Sequence, residues 1–165
     1  MTSTERSLLT DIQAVGLTIW GEARNESLLG RVAVGCVIRN RVRHKKRWSR
    51  NWRRVCHQKW QFSCWIKAGG AANYAAVDLW ARYLMGDQRG ADADLFVGDP
   101  EGAELCEALW VARGLIDGHV QDLTHGADHY YSPRAMSPRG SVPSWAAGHT
   151  PVAVIGRHRF YHLAP

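Results

Sequence analysis

The fold is decided by residues 10 to 24, which read TDIQAVGLTIWGEAR. Apolar side chains recur there at steps of three and four residues, the spacing that lines one face of a helix: Ile12, Val15, Ile19 and Ala23. Thr10 precedes this pattern and is a residue type that commonly caps the first helical turn. The stretch therefore predicts a helix that runs to about Arg24 and carries Glu22 in its last turn.

Further helices are predicted on the C-terminal side of this stretch. Residues 30–42, GRVAVGCVIRNRV, begin with a glycine and continue as an apolar helical pattern that fades into basic sequence. A third amphipathic pattern spans residues 74–84 and ends at Gly86. A fourth opens with Asp99 and Pro100 in cap and first-turn positions.

The amino-acid composition changes from Thr124 onward, where the sequence becomes rich in Gly, Pro, Ser and aromatic residues. Residues 152–154 and 159–162 predict two short strands that form a hairpin. No internal repeat, low-complexity tract or linker-like run separates this part from the helices. We therefore expect one α+β domain over residues 1–165, mainly helical, with a small C-terminal β-sheet.

The composition places the chain among ordinary soluble globular proteins. Hydrophobic residues make up 45% and charged residues 22%, and 165 residues suffice for one real core. No run approaches the roughly 20 apolar residues of a membrane-spanning helix. Residues 1–10 lack the basic-then-apolar order of a secretory signal. We therefore expect the chain to begin its life in a cytoplasm.

The cysteines and histidines do not form a metal-binding pattern. The four cysteines lack the paired two-residue spacing of a zinc site. Cys36 and Cys106 fall within apolar helical patterns and are interpreted as core residues, whereas Cys56 and Cys64 flank a short segment and could pair if oxidised. His125 and His129 have a four-residue spacing, but the surrounding loop composition argues against a helix. We predict no metal and no cofactor.

Glu22 is the residue on which a chemical function depends. It lies beside Trp20 at the end of an apolar helix, where partial burial would disfavour the charged form of a carboxyl group. A glycosidic oxygen is a poor leaving group, so its cleavage needs a donor that still holds a proton near neutral pH. The alternative is that Glu22 pairs with Arg24 on a solvated face.

Several separated motifs carry a resemblance to a known family. They are WGEAR at 20–24, GRVAVGCVIRNRV at 30–42, QFS at 61–63, DLTHGADHYYSP at 122–133 and IGRHRFY at 155–161. In this order and spacing the chain resembles the SleB-type cell-wall hydrolases, the spore-cortex lytic enzymes and related phage endolysins. Ser132 and Asp128 depart from the pattern, which commonly has Asn and a small hydroxyl residue there.

The resemblance implies a lysozyme-like fold, peptidoglycan glycan strands as the substrate and Glu22 as the catalytic acid. We expect Gln61 and Ser63 to hydrogen-bond the sugar. Tyr130 and Tyr131 would supply flat faces for sugar rings. The alternative interpretation is that Phe62 and one of the tyrosines belong to the hydrophobic core.

Two roles are possible for His129. It either orients a catalytic partner or is a satisfied loop histidine, and we include it among the substrate-binding residues.

The expected reaction is cleavage of the MurNAc–GlcNAc bond, with lytic transglycosylase chemistry implied by the family. Glu22 would protonate the leaving oxygen and then help the muramyl C6 hydroxyl attack the anomeric carbon, which needs no second carboxylate. A two-carboxylate muramidase is an alternative. Glu26 is the candidate second group, although a chain leaving the helix near Arg24 would break the geometry. A zinc amidase and a basic nucleic-acid-binding module also remain open.

Residues 39–54, RNRVRHKKRWSRNWRR, form a strongly basic segment with nine Lys or Arg residues and two interleaved tryptophans. Together with the net charge of +6 and a pI near 9.5, this segment should attract polyanions. It is typical of a solvated cationic face or of nucleic-acid binding. Our functional prediction is attachment of Arg39 to Arg54 to an anionic outer-membrane or wall surface, with no nucleic-acid partner.

The biological role predicted from these features is that of a phage or prophage endolysin. We expect it to be a monomer that waits in the host cytoplasm and reaches the periplasm and cell wall after release by a holin.

Overall fold

Helices build most of the structure, a computed structural model that describes residues 1–44, 46–67, 72–86 and 100–163. The helices are α1 (Ser3–Arg6), α2 (Asp11–Ala23), α3 (Leu28–Arg43), α4 (Trp52–Cys56), α5 (Ala72–Leu84) and α6 (Pro100–Ile116). The strands are β1 (His129–Tyr131), β2 (Ala153–Ile155) and β3 (His158–Tyr161). The predicted α+β class is confirmed. The proposed cap of α6, Asp99, lies outside the described residues.

Helix α2 is the central element, because the other long helices pack around it. Its first turn is closed by a capping box, in which the Thr10 side chain accepts from the Gln13 backbone N–H and the Gln13 side chain accepts from Thr10. Almost every side chain from Ala14 to Ala23 is buried. The helix is thus apolar nearly all round, the pattern of a core helix rather than of a surface helix with one wet face.

Close helix packing around α2 depends on residues without a side chain. A Cβ atom at Gly16 would lie 2.6 Å from Cδ2 and 3.1 Å from Cα of Leu109 in α6. At Gly35 in α3, a Cβ would collide with the side chain of Leu115 and lie 3.0 Å from Cδ1 of Ile19. These glycines allow α3 and α6 to approach α2 closely.

The sheet is antiparallel, with β3 between β1 and β2. Tyr130 pairs with Phe160, and Val154 pairs with Arg159. The predicted C-terminal hairpin is therefore present as β2 and β3, and β1 joins its other edge. Phe160 and Ala127 pack against Ala33 and Val37 of α3, which attaches the sheet to the helices.

The basic segment is not one exposed face, so the alternative of a solvated cationic face does not hold for two of its arginines. Arg39 and Arg41 are each only 3% exposed. Arg39 donates to the Val120 carbonyl, and Arg41 donates to the Asp128 carbonyl at 2.7 Å. Both guanidinium groups have internal partners that local sequence does not reveal. Among the residues of this segment that the structure describes, the exposed cations are Arg43, Lys46, Arg47, Arg50 and Arg54.

The cysteines are all free thiols. Cys36 is buried as predicted, whereas Cys106 is only half-buried. Cys56 and Cys64 are fully buried and are not joined by a disulfide. Burial raises the pKa of Cys56 to about 12, which keeps it protonated.

None of the helices within the described ranges is both long and apolar enough to cross a membrane.

Substitution of Gly16 by alanine should destabilise the protein. The added methyl would gain about 1 kcal/mol of helix propensity, but overpacking against Leu109 should cost about 2–3 kcal/mol, the upper part of the usual range, because part of the clash involves backbone. We expect a net loss of about 1–2 kcal/mol in the free energy of unfolding, measured by urea denaturation.

Gly114→Ala is the matched control, since the near neighbour of its added Cβ is a single methyl of Val120. It should lose clearly less stability. A Gly16→Ala variant as stable as the wild type would contradict the close approach of α2 and α6.

Candidate active site

Glu22, in the last turn of α2, is held by donors from two distant parts of the chain. The Ser63 hydroxyl donates to Oε1 at 2.9 Å, and the Cys64 backbone N–H donates to the same oxygen at 2.8 Å. The Tyr130 hydroxyl donates to Oε2 at 3.0 Å. The side chain is half-buried, so it is oriented by the protein and still reaches solvent.

The turn that contains Ser63 is fixed against α2. Residues Ser63–Trp65 form a single 3-10 turn, and the Trp65 indole N–H donates to the Thr18 hydroxyl at 2.9 Å, one helical turn before Glu22. Gly21 permits this contact, because a Cβ there would lie 2.5 Å from Cβ of Cys64. The absence of a side chain at Gly21 thus places Ser63 and the Cys64 N–H within reach of Glu22.

Tyr130 approaches Glu22 from strand β1. Its ring packs against those of His158 and Phe160, with centroid distances of 5.2 and 5.8 Å. Burial raises the pKa of Tyr130 well above its usual value, and the nearby Glu22 carboxylate acts in the same direction. The phenol therefore stays protonated and remains a hydrogen-bond donor to Glu22.

The Glu22 carboxyl group lies at the wall of a polar cleft with a volume of about 280 Å³. Its walls come from the end of α2, the start of α5, the turn after β1 and the β2–β3 turn. Besides Glu22 they include Arg24, Glu26, Asn73, Ser132, Arg134, Arg157 and His158. Such a mixture of cations, amides and hydroxyls suits a ligand with many hydroxyl and carbonyl groups.

Glu26 lies in this same cleft although the chain leaves α2 near Arg24, as expected, so that Glu26 does not share a helix face with Glu22. The chain turns after Ala23, whose carbonyl accepts from the Glu26 N–H at 2.9 Å. The Glu26 side chain is 7% exposed, and its Oε2 accepts from the Arg157 N–H at 3.1 Å. Gly156 leaves room for this carboxylate, since a Cβ there would collide with it. Glu26 is thus engaged by the β2–β3 turn.

The structure brings only part of the predicted set together. Ser63 and Tyr130 contact Glu22 directly, while Gln61 is half-buried and precedes Phe62, a core residue as the alternative reading expected. His129 and Tyr131 flank Tyr130 on β1, so their side chains point to the opposite face of the strand.

His129 and Tyr131 were expected to bind substrate, and the structure places their contacts away from Glu22. The His129 Nδ1 lies 2.7 Å from an Asp128 carboxylate oxygen, and its ring lies 5.3 Å from that of Trp145. Tyr131 stacks on Tyr161 at 5.9 Å. Asp128 also accepts from the Leu163 N–H at 2.9 Å, so this departure from the family pattern ties the end of β3 to β1.

Arg41 is a supporting residue that the sequence analysis assigned to the surface. Its guanidinium lies over Trp48 at 4.5 Å and over Phe62 at 5.0 Å. Its Nε atom donates to the carbonyl of Asp128, two residues before Tyr130. Burial lowers the pKa of Arg41, whereas the groups of Tyr130, Asp128 and Glu22 act in the opposite direction. Arg41 thus connects the segment of Ser63 with the strand of Tyr130.

The remaining cleft residues differ in how far sequence could have identified them. Arg157 and His158 belong to the IGRHRFY motif, and Arg134 follows the Ser-Pro pair that closes the DLTHGADHYYSP motif. Asn73 donates to the Gly21 carbonyl at 2.9 Å, but no sequence signal points to it.

Comparison with known proteins identifies the family and the fold of the chain. A family model described as Cell Wall Hydrolase matches residues 25–161, so the match begins three residues after Glu22. No curated protein shows significant sequence similarity. The catalytic domain of the germination-specific lytic transglycosylase SleB from Bacillus anthracis has a similar structure, with 24% identity, a TM-score of 0.57 and coverage of 91% of this chain and 92% of that one.

The catalytic domain of Bacillus cereus SleB is also similar in structure, with 21% identity and a TM-score of 0.51 over 91% of this chain and 88% of that one. At these identities the structural matches show a shared fold.

Replacement of Tyr130 by phenylalanine should impair catalysis while leaving the fold intact. The variant loses the hydrogen bond from Tyr130 to Glu22, which is worth about 1.5–3 kcal/mol once negative charge develops on the carboxyl group. If that interaction acts in the transition state, turnover of purified cell walls should fall about 10- to 100-fold, as measured by turbidity loss.

Tyr131→Phe is the matched control, because this tyrosine is next in sequence but stacks on Tyr161 instead. Its turnover should stay close to that of the wild type. Equal effects of the two substitutions would argue against a specific role of the Tyr130 hydroxyl.

Proposed function

This chain belongs to the cell wall hydrolase family, and from that premise we propose that it cleaves the MurNAc–GlcNAc bond of peptidoglycan with Glu22 as the proton donor. The family makes it a cell-wall-degrading enzyme, as the motifs predicted. The bond and the roles of individual residues are our proposal. The observation that carries it is the set of donors that orient Glu22 at the wall of an open polar cleft.

The donors around Glu22 support a role as an acid. As the carboxyl group gives its proton to the glycosidic oxygen, negative charge develops on its two oxygens. The Ser63 hydroxyl, the Cys64 N–H and the Tyr130 hydroxyl already point at these oxygens. Donors that are in place before charge develops stabilise it without reorganisation. The same contacts then hold a carboxylate that serves as a base.

Transglycosylation is the reaction that this arrangement favours. After the leaving group departs, the Glu22 carboxylate takes the proton of the muramyl C6 hydroxyl while that oxygen bonds to the anomeric carbon. The product is a 1,6-anhydro-muramyl end, and Glu22 regains its proton. Because the nucleophile belongs to the substrate, its attack is intramolecular and needs no positioned water.

A two-carboxylate muramidase is the second candidate, because Glu26 lines the same cleft. An inverting or retaining glycosidase needs a free carboxylate to activate water or to attack the sugar. Glu26 instead accepts from the Arg157 backbone N–H and lies 3.5 Å from the Arg157 guanidinium. Its engagement with the β2–β3 turn favours a positioning role over a role as a base.

The Glu22→Gln variant should lose lytic activity while keeping its fold. Glutamine has nearly the same shape but no acidic proton, and loss of a general acid lowers rates by about 10²–10⁴-fold. Turbidity loss of cell walls measures activity, and thermal unfolding measures the fold.

Glu26→Gln provides the comparison within the same cleft and should retain most of the activity. A fully active Glu22→Gln variant would contradict the assignment of the acid. Loss of activity in Glu26→Gln with unchanged thermal stability would favour the muramidase.

Mass spectrometry of the digested wall should show anhydro-muramyl ends. A hydrolase adds water and leaves a reducing end that is heavier by one water molecule. Reducing ends would contradict transglycosylation, and freed stem peptides with intact glycan would indicate the amidase that the sequence left open.

The endolysin role and the path from host cytoplasm to cell wall through a holin are also proposals. They are supported by the net charge of +6, which suits an anionic envelope. Attachment to that envelope is now proposed for the exposed part of the basic segment, since Arg39 and Arg41 are buried.

A further inference from the structure

A second pocket lies beside the segment that supplies Ser63 to the active site. It has a volume of about 250 Å³ and is lined by Arg6 of α1 and by the chain from 57 to 67, which follows α4. Phe62 lines this pocket, and the next residue, Ser63, contacts Glu22. Trp65 also lines it, and its indole is bonded to α2. Adjacent residues of one segment therefore form the pocket wall and the contact with Glu22.

The pocket combines apolar walls with cations. Trp60, Phe62, Trp65 and Ile66 form apolar surface, while Arg6, Lys59 and Lys67 supply positive charge. No acidic residue is among the described residues that line it. A cationic rim over aromatic walls suits an anionic ligand that also carries hydrocarbon.

Trp60 shows that this surface is not an incidental depression. Its side chain is 65% exposed, and its backbone has φ = 68°, a left-handed conformation that is unfavourable for a bulky residue. The Lys59 ammonium lies 5.3 Å from the centre of its ring. A strained backbone that presents an indole to solvent is a pattern associated with binding sites.

His57 does not add charge to the pocket. Burial, together with the nearby Arg6 and Arg53, lowers its pKa to about 4, so the imidazole is neutral at physiological pH. Its ring packs on the edge of Trp65 at 4.6 Å. The positive charge available to a ligand therefore comes from Arg6, Lys59 and Lys67.

We propose that this pocket binds the carboxylate-bearing stem peptide of the muramyl residue at or next to the scissile bond, with Trp60 against its hydrocarbon and Lys59 and Lys67 near its carboxylates. The inference rests on the proposed function and identifies the part of the substrate beyond the sugars that the enzyme recognises. An extended peptide of three to five residues spans roughly 10–17 Å, enough to leave the glycan strand and follow the 61–63 segment. A phosphate polymer of the wall is strongly hydrated and would leave the aromatic walls unused.

The test compares two substrates: glycan strands with intact stem peptides and glycan strands stripped of them by an amidase. The wild type should cleave the stem-bearing strands with a kcat/KM about tenfold higher. Trp60→Gly should remove most of this preference, as should the double substitution Lys59→Ala and Lys67→Ala. Both variants should cleave stripped strands like the wild type.

Trp60→Gly also separates binding from folding, because glycine tolerates positive φ and should keep or raise the thermal stability. Trp110→Ala removes a tryptophan that is 81% exposed on α6, and Arg139→Ala removes an exposed cation outside both the pocket and the basic segment. These control variants should keep the full preference for stem-bearing strands.

A wild type that cleaves both substrates equally would overturn the stem-peptide proposal while leaving glycan cleavage intact. If neither substrate is cleaved, the proposed function fails, and titration of the protein with a free stem tetrapeptide still tests the pocket. Binding that is lost in Trp60→Gly supports the pocket. The proposal is rejected if the tetrapeptide does not bind, or if a phosphate polymer binds the pocket and the tetrapeptide does not.

Discussion

The structure depends on one carboxyl group that three groups far apart in sequence hold at the end of a buried helix. Ser63 and Cys64 lie just over 40 residues from Glu22, and Tyr130 lies 108 residues away. Burial of α2 fixes where the carboxyl group emerges, and the bare backbone of Gly21 lets the 63–65 turn reach it. The helical part and the sheet meet at this group, so fold and chemistry share the same contacts.

Local sequence patterns were sufficient for the four long helices, the C-terminal hairpin and the position of Glu22 in the last turn of α2, because helical spacing, capping residues and the alternation of turns and strands are visible within a few positions. They did not predict the short helices α1 and α4. They were not sufficient for strand β1, which has three residues and exists only through pairing with β3. Because β1 was not predicted, the alternation of side chains along a strand could not be used to separate its residues. His129 and Tyr131 were therefore grouped with Tyr130. Their separation onto the opposite face is a tertiary result.

Charge patterns were interpretable only in part. A run of arginines and lysines normally indicates a wet surface, yet Arg41 is inserted between Trp48 and Phe62 and is bonded to the backbone before Tyr130. Arg39 is likewise buried. Glu26 also has a distant partner, since the turn after α2 and the β2–β3 turn together bring it into the cleft. In each case the partner is far away in sequence, and pairing outweighs the usual tendency of a charge to face water.

The long separation between Glu22 and Tyr130 has a consequence for synthesis on the ribosome. Helix α2 emerges early, whereas its partner on β1 emerges only after more than a hundred further residues, and β1 itself pairs with a strand made still later. Contacts of this kind form late because loop closure over many residues is slow. A nascent or prematurely terminated chain therefore carries Glu22 without the Tyr130 hydroxyl that orients it. The site is assembled, and the cell wall can be degraded, only when translation of the sheet is complete.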